Sequence, residues 1–261
     1  MPLLRSERLE GITRMLNSGQ SVSVAALSAN FGVSEMTVRR DLKQLDALGY
    51  ARRVHGGAVG ATGPVRAQFQ IRTTEHVAEK ARIGRAVAEL IPEGSSVILD
   101  IGTTALYVAR ELRQRSGLFL ATNSLAAAYE LVGSASRVLV LGGMLYGGDQ
   151  EPSLVGQSTI ELIGQLRVDT LVLGAGAVSL NGGLLYFGFE EVEVRRAMLA
   201  VAKTVVLAVD SSKFDHDDLP VALPMLSRVD VIVTDAAPPA PFERHLQKLG
   251  VQVVVTEEPE R

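Results

Sequence analysis

Residues 34–43 read Ser-Glu-Met-Thr-Val-Arg-Arg-Asp-Leu-Lys. Two guanidiniums, one ammonium and the hydroxyls of Ser34 and Thr37 are the donors that DNA phosphates and guanine edges accept. On a helix turning about 100° per residue, Val38, Leu42 and Leu45 share a narrow arc. Arg40 and Lys43 point almost opposite, flanked by Arg39 and Thr37. One face could seat on its own domain while the other enters a groove. Arg can pair two donors with guanine or bind phosphate, whereas Lys more often binds phosphate. The same charges also fit a merely solvated helix. Arg52, Arg53 and His55, beside Gly56-Gly57, would make a basic wing over the backbone.

A second group of residues sits where apolar runs hand over to helices. Asp100-Ile101-Gly102-Thr103-Thr104 follows one such run. Gly102 would allow close backbone approach, the two Thr add hydroxyls, and amides at a helix N-terminus favour phosphate. A plain Thr N-cap after a turn glycine fits as well. Thr122-Asn123-Ser124, Gly142-Gly143 and Gly174-Ala175-Gly176 close three more runs. None of these matches the dinucleotide or Walker spacing, so NAD or ATP use is unsupported and no cofactor is expected. Lys213, in Asp210-Ser211-Ser212-Lys213, could reach a phosphate or remain solvated, and Glu190, Glu191 and Glu193 suit a helix's first turn.

The elements that would position these residues follow from periodicity. Residues 5–18 read as an amphipathic helix through Leu9, Ile12, Met15 and Leu16. Ser23 caps a short helix ending at Gly32, and Ser34 caps a third that runs to about Leu48. Tyr50 to Val59 make two short strands. The segment 60–75, with Gly60, Gly63 and Pro64, reads as a linker between a domain at 1–59 and another at 76–261. Beyond it the apolar runs Val97–Ile101, Leu118–Thr122, Arg137–Leu141, Thr170–Leu173, Thr204–Val209, Val231–Thr234 and Val251–Thr256 alternate with helical stretches at 79–91, 104–115, 124–132, 156–166 and 190–202. Continuous rather than alternating apolarity suits strands covered on both faces, so the larger domain reads as α/β with a parallel sheet.

Composition narrows the chemistry further. The 261 residues include no Cys and four His, which leaves no thiol chemistry and poor supply for a metal site; none is expected. With 47% hydrophobic and 21% charged residues the chain can bury a core. No apolar run approaches the ~18 residues of a membrane span, and residues 1–16 lack a signal peptide's apolar stretch, so a cytoplasmic location is expected. The net charge of −3 is unevenly spread. Residues 1–59 hold eight Lys and Arg against five acids, while the other 202 hold 18 against 24. A basic small segment suits a polyanion partner, and an acidic large one does not.

Phe31-Gly32-Val33-Ser34, then Met36-Thr37-Val38-Arg39-Arg40-Asp41-Leu42, Leu45, Gly49, Arg52 and His55-Gly56-Gly57-Ala58 resemble the DeoR-type winged helix-turn-helix in order and spacing. The resemblance implies that Ser34, Thr37, Arg39, Arg40 and Lys43 approach DNA from the recognition helix, with Arg52, Arg53 and His55 on the wing. Arg40 and Thr37 are the expected base contacts, and Asp41 is expected to buttress a neighbouring Arg. The later motifs, with Glu191-Val192-Glu193-Val194-Arg195-Arg196, resemble the effector domain of DeoR-family regulators, a fold similar to ribose-5-phosphate isomerase. That implies a phosphorylated sugar or related metabolite as effector. Gly102, Thr103 and Thr104 would cradle its phosphate, and Asp100, Asn123, Ser124, Gly142, Gly143, Glu191 and Lys213 would line the rest. The chain departs from the family after Gly182-Gly183-Leu184, where small hydroxyl residues usually follow: here Leu185-Tyr186-Phe187-Gly188-Phe189 stand. These bulky groups could reshape the pocket, line a subunit contact or mark lost ligand binding.

Three functions fit these residues. The leading one is a transcriptional regulator, a repressor of carbohydrate-metabolism genes, binding double-stranded operator DNA as a homodimer or homotetramer under control of a sugar phosphate. The second is a constitutive DNA-binding protein whose large domain only oligomerises. The third is a sugar-phosphate isomerase with Glu191 as general base and Lys213 as charge stabiliser.

Overall fold

In the computed structural model, which describes residues 8–9, 11–12, 15–16, 21–47, 51–54, 56–60, 69–147, 151–181, 183–214 and 219–257, the chain divides into units spanning 1–68 and 69–261. In the first unit, described residues 8–9, 11–12 and 15–16 are helical and place Ile12 and Leu16 in the core. Strand β1 (Val22–Ser23) leads directly into helix α1 (Val24–Phe31). The Ser23 hydroxyl accepts the Ala26 N–H at 3.1 Å, and Gly32 ends the helix with φ 63°. A tight turn then delivers Ser34, whose hydroxyl accepts the Thr37 N–H at 3.2 Å and starts α2 (Glu35–Ala47). Both N-caps and the glycine stop follow ordinary capping chemistry. Strands β2 (Ala51–Val54) and β3 (Gly57–Gly60) pair antiparallel with Val54 opposite Gly57, and β1 joins β3. A side chain at Gly57 would put its Cβ 2.0 Å from the Val22 carbonyl oxygen, so β1 can lie there only against glycine.

In the second unit, α3 (Phe69–Thr74) lies inside the stretch read as a linker. It is followed by α4 (Val77–Leu90), β4 (Ser96–Leu99), α5 (Thr103–Arg113), β5 (Phe119–Thr122), α6 (Leu125–Glu130) and β6 (Arg137–Val140). A hairpin of β7 (Met144–Tyr146) and β8 (Ser153–Val155) leads to α7 (Gln157–Gly164) and β9 (Val168–Leu173). Then come β10 (Ala177–Ser179), β11 (Gly183–Tyr186), α8 (Phe189–Val201) and β12 (Ala202–Ala208). The last elements are β13 (Val221–Leu223), β14 (Val231–Thr234), α9 (Ala240–Leu249) and β15 (Gln252–Val255).

Seven of these strands form one sheet in the order β15-β14-β12-β9-β4-β5-β6, every neighbour parallel. Each corresponds to one of the seven apolar runs. The inner strands are covered on both faces, as continuous apolarity predicts, while the edge strands β6 and β15 stay partly exposed. Ile83 and Val87 of α4, Val108 and Leu112 of α5 and Ala127 of α6 pack on one side. Ile163 of α7, Met198 and Leu199 of α8 and Leu246 of α9 belong to the other core. From β4 the chain moves outward through β5 and β6, then returns to the other side of β4 with β9 and continues to β12, β14 and β15. The direction of winding therefore reverses between β4 and β9. In such sheets a ligand crevice opens beyond the carboxyl ends of the strands at that point. The smaller sheet β10-β11-β13 and the β7–β8 hairpin had no counterpart among the expected strands.

Candidate functional site

On α2 the packing follows the helical wheel. Val38, Leu42 and Leu45 are buried, while Arg39, Arg40, Lys43 and Ser34 are exposed and Thr37 is half-buried. Arg39 ties back to Glu35 at 3.2 Å, an exposed pair of small energetic weight that leaves it available to an anion. The Ser34 and Thr37 hydroxyls lie 2.9 Å apart. Met36, a residue the charge pattern did not single out, is 70% exposed on the same first turn. Asp41 points the other way: it is 1% exposed and accepts from the Arg8 guanidinium at 2.6 Å. The buttressed cation is thus 33 residues away rather than on the same helix. Arg52 and Arg53 fall on β2, and His55 lies outside the described residues.

In the larger unit, the crevice between β4 and β9 is built around Asp100. Its carboxylate accepts the Gly174 N–H at 3.1 Å and the Arg195 Nε–H at 2.8 Å. Arg195 also donates to Glu191 at 3.1 Å, one helical turn back on α8. The guanidinium lies over the Tyr186 ring, 4.0 Å from its centroid, and the Tyr186 hydroxyl donates to the Gly174 carbonyl at 2.9 Å. All four side chains are buried. Burial alone would lower the Arg195 pKa, but Asp100, Tyr186 and Glu191 outweigh it and hold the cation firmly charged. Tyr186, whose bulk marks the departure from the family pattern, is therefore the platform under this cation and not an obstruction. Asp100 and Glu191, expected as pocket-lining groups, accept these bonds from Arg195, which stands in the quoted Glu191–Arg196 motif but was given no role there.

Gly102 N-caps α5 with φ 129°, a conformation that favours glycine, and no side chain caps the helix. Thr103 and Thr104 are buried beside it. The plain Thr N-cap is therefore absent, and the first amides of α5 have no partner within the helix. The Gly102 N–H donates to the Glu151 carboxylate at 2.5 Å. The Ser124 hydroxyl donates to the other oxygen of Glu151 while accepting the Ala127 N–H at 2.9 Å to cap α6. Glu151 is 1% exposed. Burial pushes its carboxyl up to about 7, against the Ser124 hydroxyl, the Gly102 amide and Arg72. Asn123 bonds the Leu154 carbonyl through its amide nitrogen at 3.0 Å, and its buried Oδ1 has no hydrogen-bond partner among the described residues. The same holds for the Ser153 hydroxyl, opposite Ser124 in an isolated bridge.

The carboxyl end of β12 adds a cationic side to the crevice. Burial would raise the Asp210 carboxyl, but Lys213, the Ser212 hydroxyl, Lys80 and His76 outweigh it and keep it below the ordinary range. Burial lowers the Lys80 ammonium to about 8, with Asp210 opposing. Lys80 donates to the Arg72 and Glu75 carbonyls at 2.6 and 2.8 Å. Thus α3 and α4 supply Arg72, His76 and Lys80, all missed because they precede the first apolar run. At the end of β6 the Gly142 carbonyl accepts from Thr159 at 2.7 Å, and a Cβ on Gly143 would strike Thr159 Oγ1.

Glu151 makes stability pH-dependent in a predictable sense. The folded state holds this proton more tightly than the unfolded chain, whose ordinary value is 4.5. Stability is therefore highest below the ordinary carboxyl range and falls as pH rises toward neutrality. A rise to about 7 corresponds to roughly 3 kcal/mol. Glu151→Gln removes the titration, so its melting temperature relative to wild type should climb between pH 5 and pH 8. Melting curves that stay parallel across that range would contradict this.

Comparison with known proteins adds family information. A model described as the DeoR-like helix-turn-helix domain matches residues 8–62, and one described as the DeoR C terminal sensor domain matches residues 75–236. The chain is 37% identical over 250 residues to the glycerol-3-phosphate regulon repressor of Escherichia coli, covering 95% of this chain and 98% of that protein. It is 33% identical to the E. coli HTH-type transcriptional repressor CsqR (91% and 90% covered) and 34% identical to the transcriptional repressor AccR of Agrobacterium fabrum (95% and 96%). Among solved structures, ribose 5-phosphate isomerase A of Methanocaldococcus jannaschii overlays 54% of this chain and 55% of its own at TM-score 0.40 and 19% identity.

Proposed function

The chain belongs to the DeoR family of transcriptional regulators, and from that premise we propose that it is a repressor of carbohydrate-metabolism genes whose DNA affinity is set by a phosphorylated sugar or related metabolite. One observation supports the DNA-binding half above others: α2 buries Val38, Leu42 and Leu45 and turns Arg39, Arg40 and Lys43 to solvent. In this reading Arg40 and Thr37 touch bases, and Ser34, Arg39, Lys43, Arg52, Arg53 and His55 hold phosphates. Met36 adds an apolar contact suited to a thymine methyl. The operator is double-stranded and read by a homodimer or homotetramer.

The sensor half rests on the cradle at Gly102, Thr103 and Thr104, with Asn123, Ser124 and Lys213 around it. Asp100 and Glu191 shape it through Arg195. Relatives named for the glycerol-3-phosphate regulon favour a phosphate monoester as the effector class. Effector binding alters operator affinity to the extent that it favours one of two states of the protein; a coupling of about 1–3 kcal/mol changes affinity roughly 5- to 150-fold. An isomerase reading is disfavoured, because the Glu191 carboxylate that would abstract a proton is paired with Arg195 at 3.1 Å.

The test is fluorescence anisotropy on duplex from the chain's own upstream region. Arg40→Ala is expected to weaken specific binding by about 10- to 100-fold, the worth of one bidentate base contact. Thr103→Ala is expected to keep operator binding and lose the response to phosphorylated metabolites. Wild-type affinity and salt dependence in Arg40→Ala would overturn the DNA assignment. Operator affinity indifferent to every sugar phosphate offered would favour a constitutive binder.

A further inference from the structure

We infer that Glu151 is the resident ligand of the anion cradle: its carboxylate holds the place that an effector phosphate takes, and binding is an exchange of one anion for the other. The inference deepens the sensor reading above and rests on it. Three observations meet at this group. First, the two donors that bond Glu151 are the Gly102 N–H at the start of α5 and the Ser124 hydroxyl at the start of α6. These are the groups that a phosphate oxygen would engage there, and the field of a helix N-terminus favours either anion. Second, Glu151 is 1% exposed and comes from the approach to β8, 49 residues from Gly102 and 27 from Ser124. Nothing in local helix capping requires a carboxylate from so far away. Third, the Ser153 hydroxyl beside the same spot is buried without a hydrogen-bond partner among the described residues and could donate to a phosphate oxygen, while the equally orphaned Asn123 Oδ1 is an acceptor that a hydroxyl of the same ligand would complete. Such orphans are costly unless a ligand completes them.

Chemically, the exchange breaks no covalent bond. The carboxylate leaves the Gly102 amide and the Ser124 hydroxyl, and a phosphate monoester dianion accepts from both. Its remaining oxygens can accept from the Ser153 hydroxyl and lie in the field of Arg72, which already acts on Glu151. The resident carboxylate imposes a threshold. Apparent affinity is the intrinsic affinity reduced by the fraction of molecules whose cradle is open. A cradle occupied by Glu151 in about 90–99% of molecules would weaken phosphate binding by about 10- to 100-fold.

The experiment is isothermal titration calorimetry of inorganic phosphate into the full chain at neutral pH, for wild type, Glu151→Gln and Glu151→Ala, with operator binding measured in parallel. The expected result is that Glu151→Ala binds phosphate at least about tenfold more tightly than wild type, and Glu151→Gln more tightly by a smaller factor, because its side chain can re-enter the cradle but carries no charge to compete with the phosphate. If Glu151→Ala fails to fold, Glu151→Gln decides, since it keeps the side chain's shape and removes the charge that competes with phosphate. Variants that bind phosphate equally to wild type, or more weakly, would overturn the inference and leave the sensor reading standing. Weaker binding would make Glu151 a direct ligand of the effector. Absence of phosphate binding in wild type and in both variants would overturn the inference together with the anion cradle itself.

Discussion

Arg195→Met is expected to destabilise the larger unit by about 3–5 kcal/mol, the usual cost of removing one partner from a buried ion pair. The substituted side chain keeps an apolar stem but leaves the Asp100 and Glu191 carboxylates buried, at 1% and 3% exposure, without their shared cation. It also removes the guanidinium stacked on Tyr186. At roughly 2–4 °C per kcal/mol for a unit of this size, the melting midpoint should drop by about 10 °C. The loss should ease in acid, where the stranded carboxyls can take protons. A Glu191→Gln/Arg195→Met double variant should cost less than the two single changes summed, since the three groups act as one network. A midpoint within about 2 °C of wild type would show that the Asp100–Arg195–Glu191 triad does not hold the crevice together.

Asp41→Ala is expected to abolish operator binding although Asp41 touches no DNA in the proposed complex. Its carboxylate bonds the Arg8 guanidinium at 2.6 Å, with both side chains under a tenth exposed. Withdrawing it removes the carboxylate from a buried ion pair, at a cost of about 3–5 kcal/mol. The total stability of a small domain is only about 5–15 kcal/mol. The first unit should therefore lose its helical packing, become protease-sensitive between residues 8 and 60 and cease to present α2. Arg40→Ala, by contrast, should lose affinity with protease resistance intact. If Asp41→Ala binds operator at wild-type strength, the pair is dispensable and α2 is positioned by its apolar face alone.

Much of this architecture is legible in one dimension. The apolar arc of Val38, Leu42 and Leu45 fixes which side of α2 faces inward, so the outward cations follow without coordinates. Ser23, Gly32 and Ser34 bracket two helices through capping bonds that reach only three residues. The inner runs of the parallel sheet announce themselves because strands buried on both faces leave no room for polar interruptions, and the edge runs of β6 and β15 stay apolar although partly exposed. Shorter or half-exposed pieces left no such mark. The β7–β8 hairpin exposes Met144 and Leu145, and α3 spans only six residues. Periodicity needs more length than that to register.

The sensor crevice obeys a different rule. Asp100 and Arg195 are 95 residues apart, and Gly102 and Glu151 are separated by 49. Their meeting depends on parallel crossovers that bring the carboxyl ends of β4, β5, β9 and β12 to one edge of the sheet. Residue types along the chain mark which loops end strands, because glycine, threonine and aspartate have local conformational reasons to stand there. They do not mark which distant carboxylate or guanidinium will fill the space between those loops. That choice is made by burial: once an acid is enclosed, it must find a donor or cation within hydrogen-bond reach, and the fold alone sets who is near.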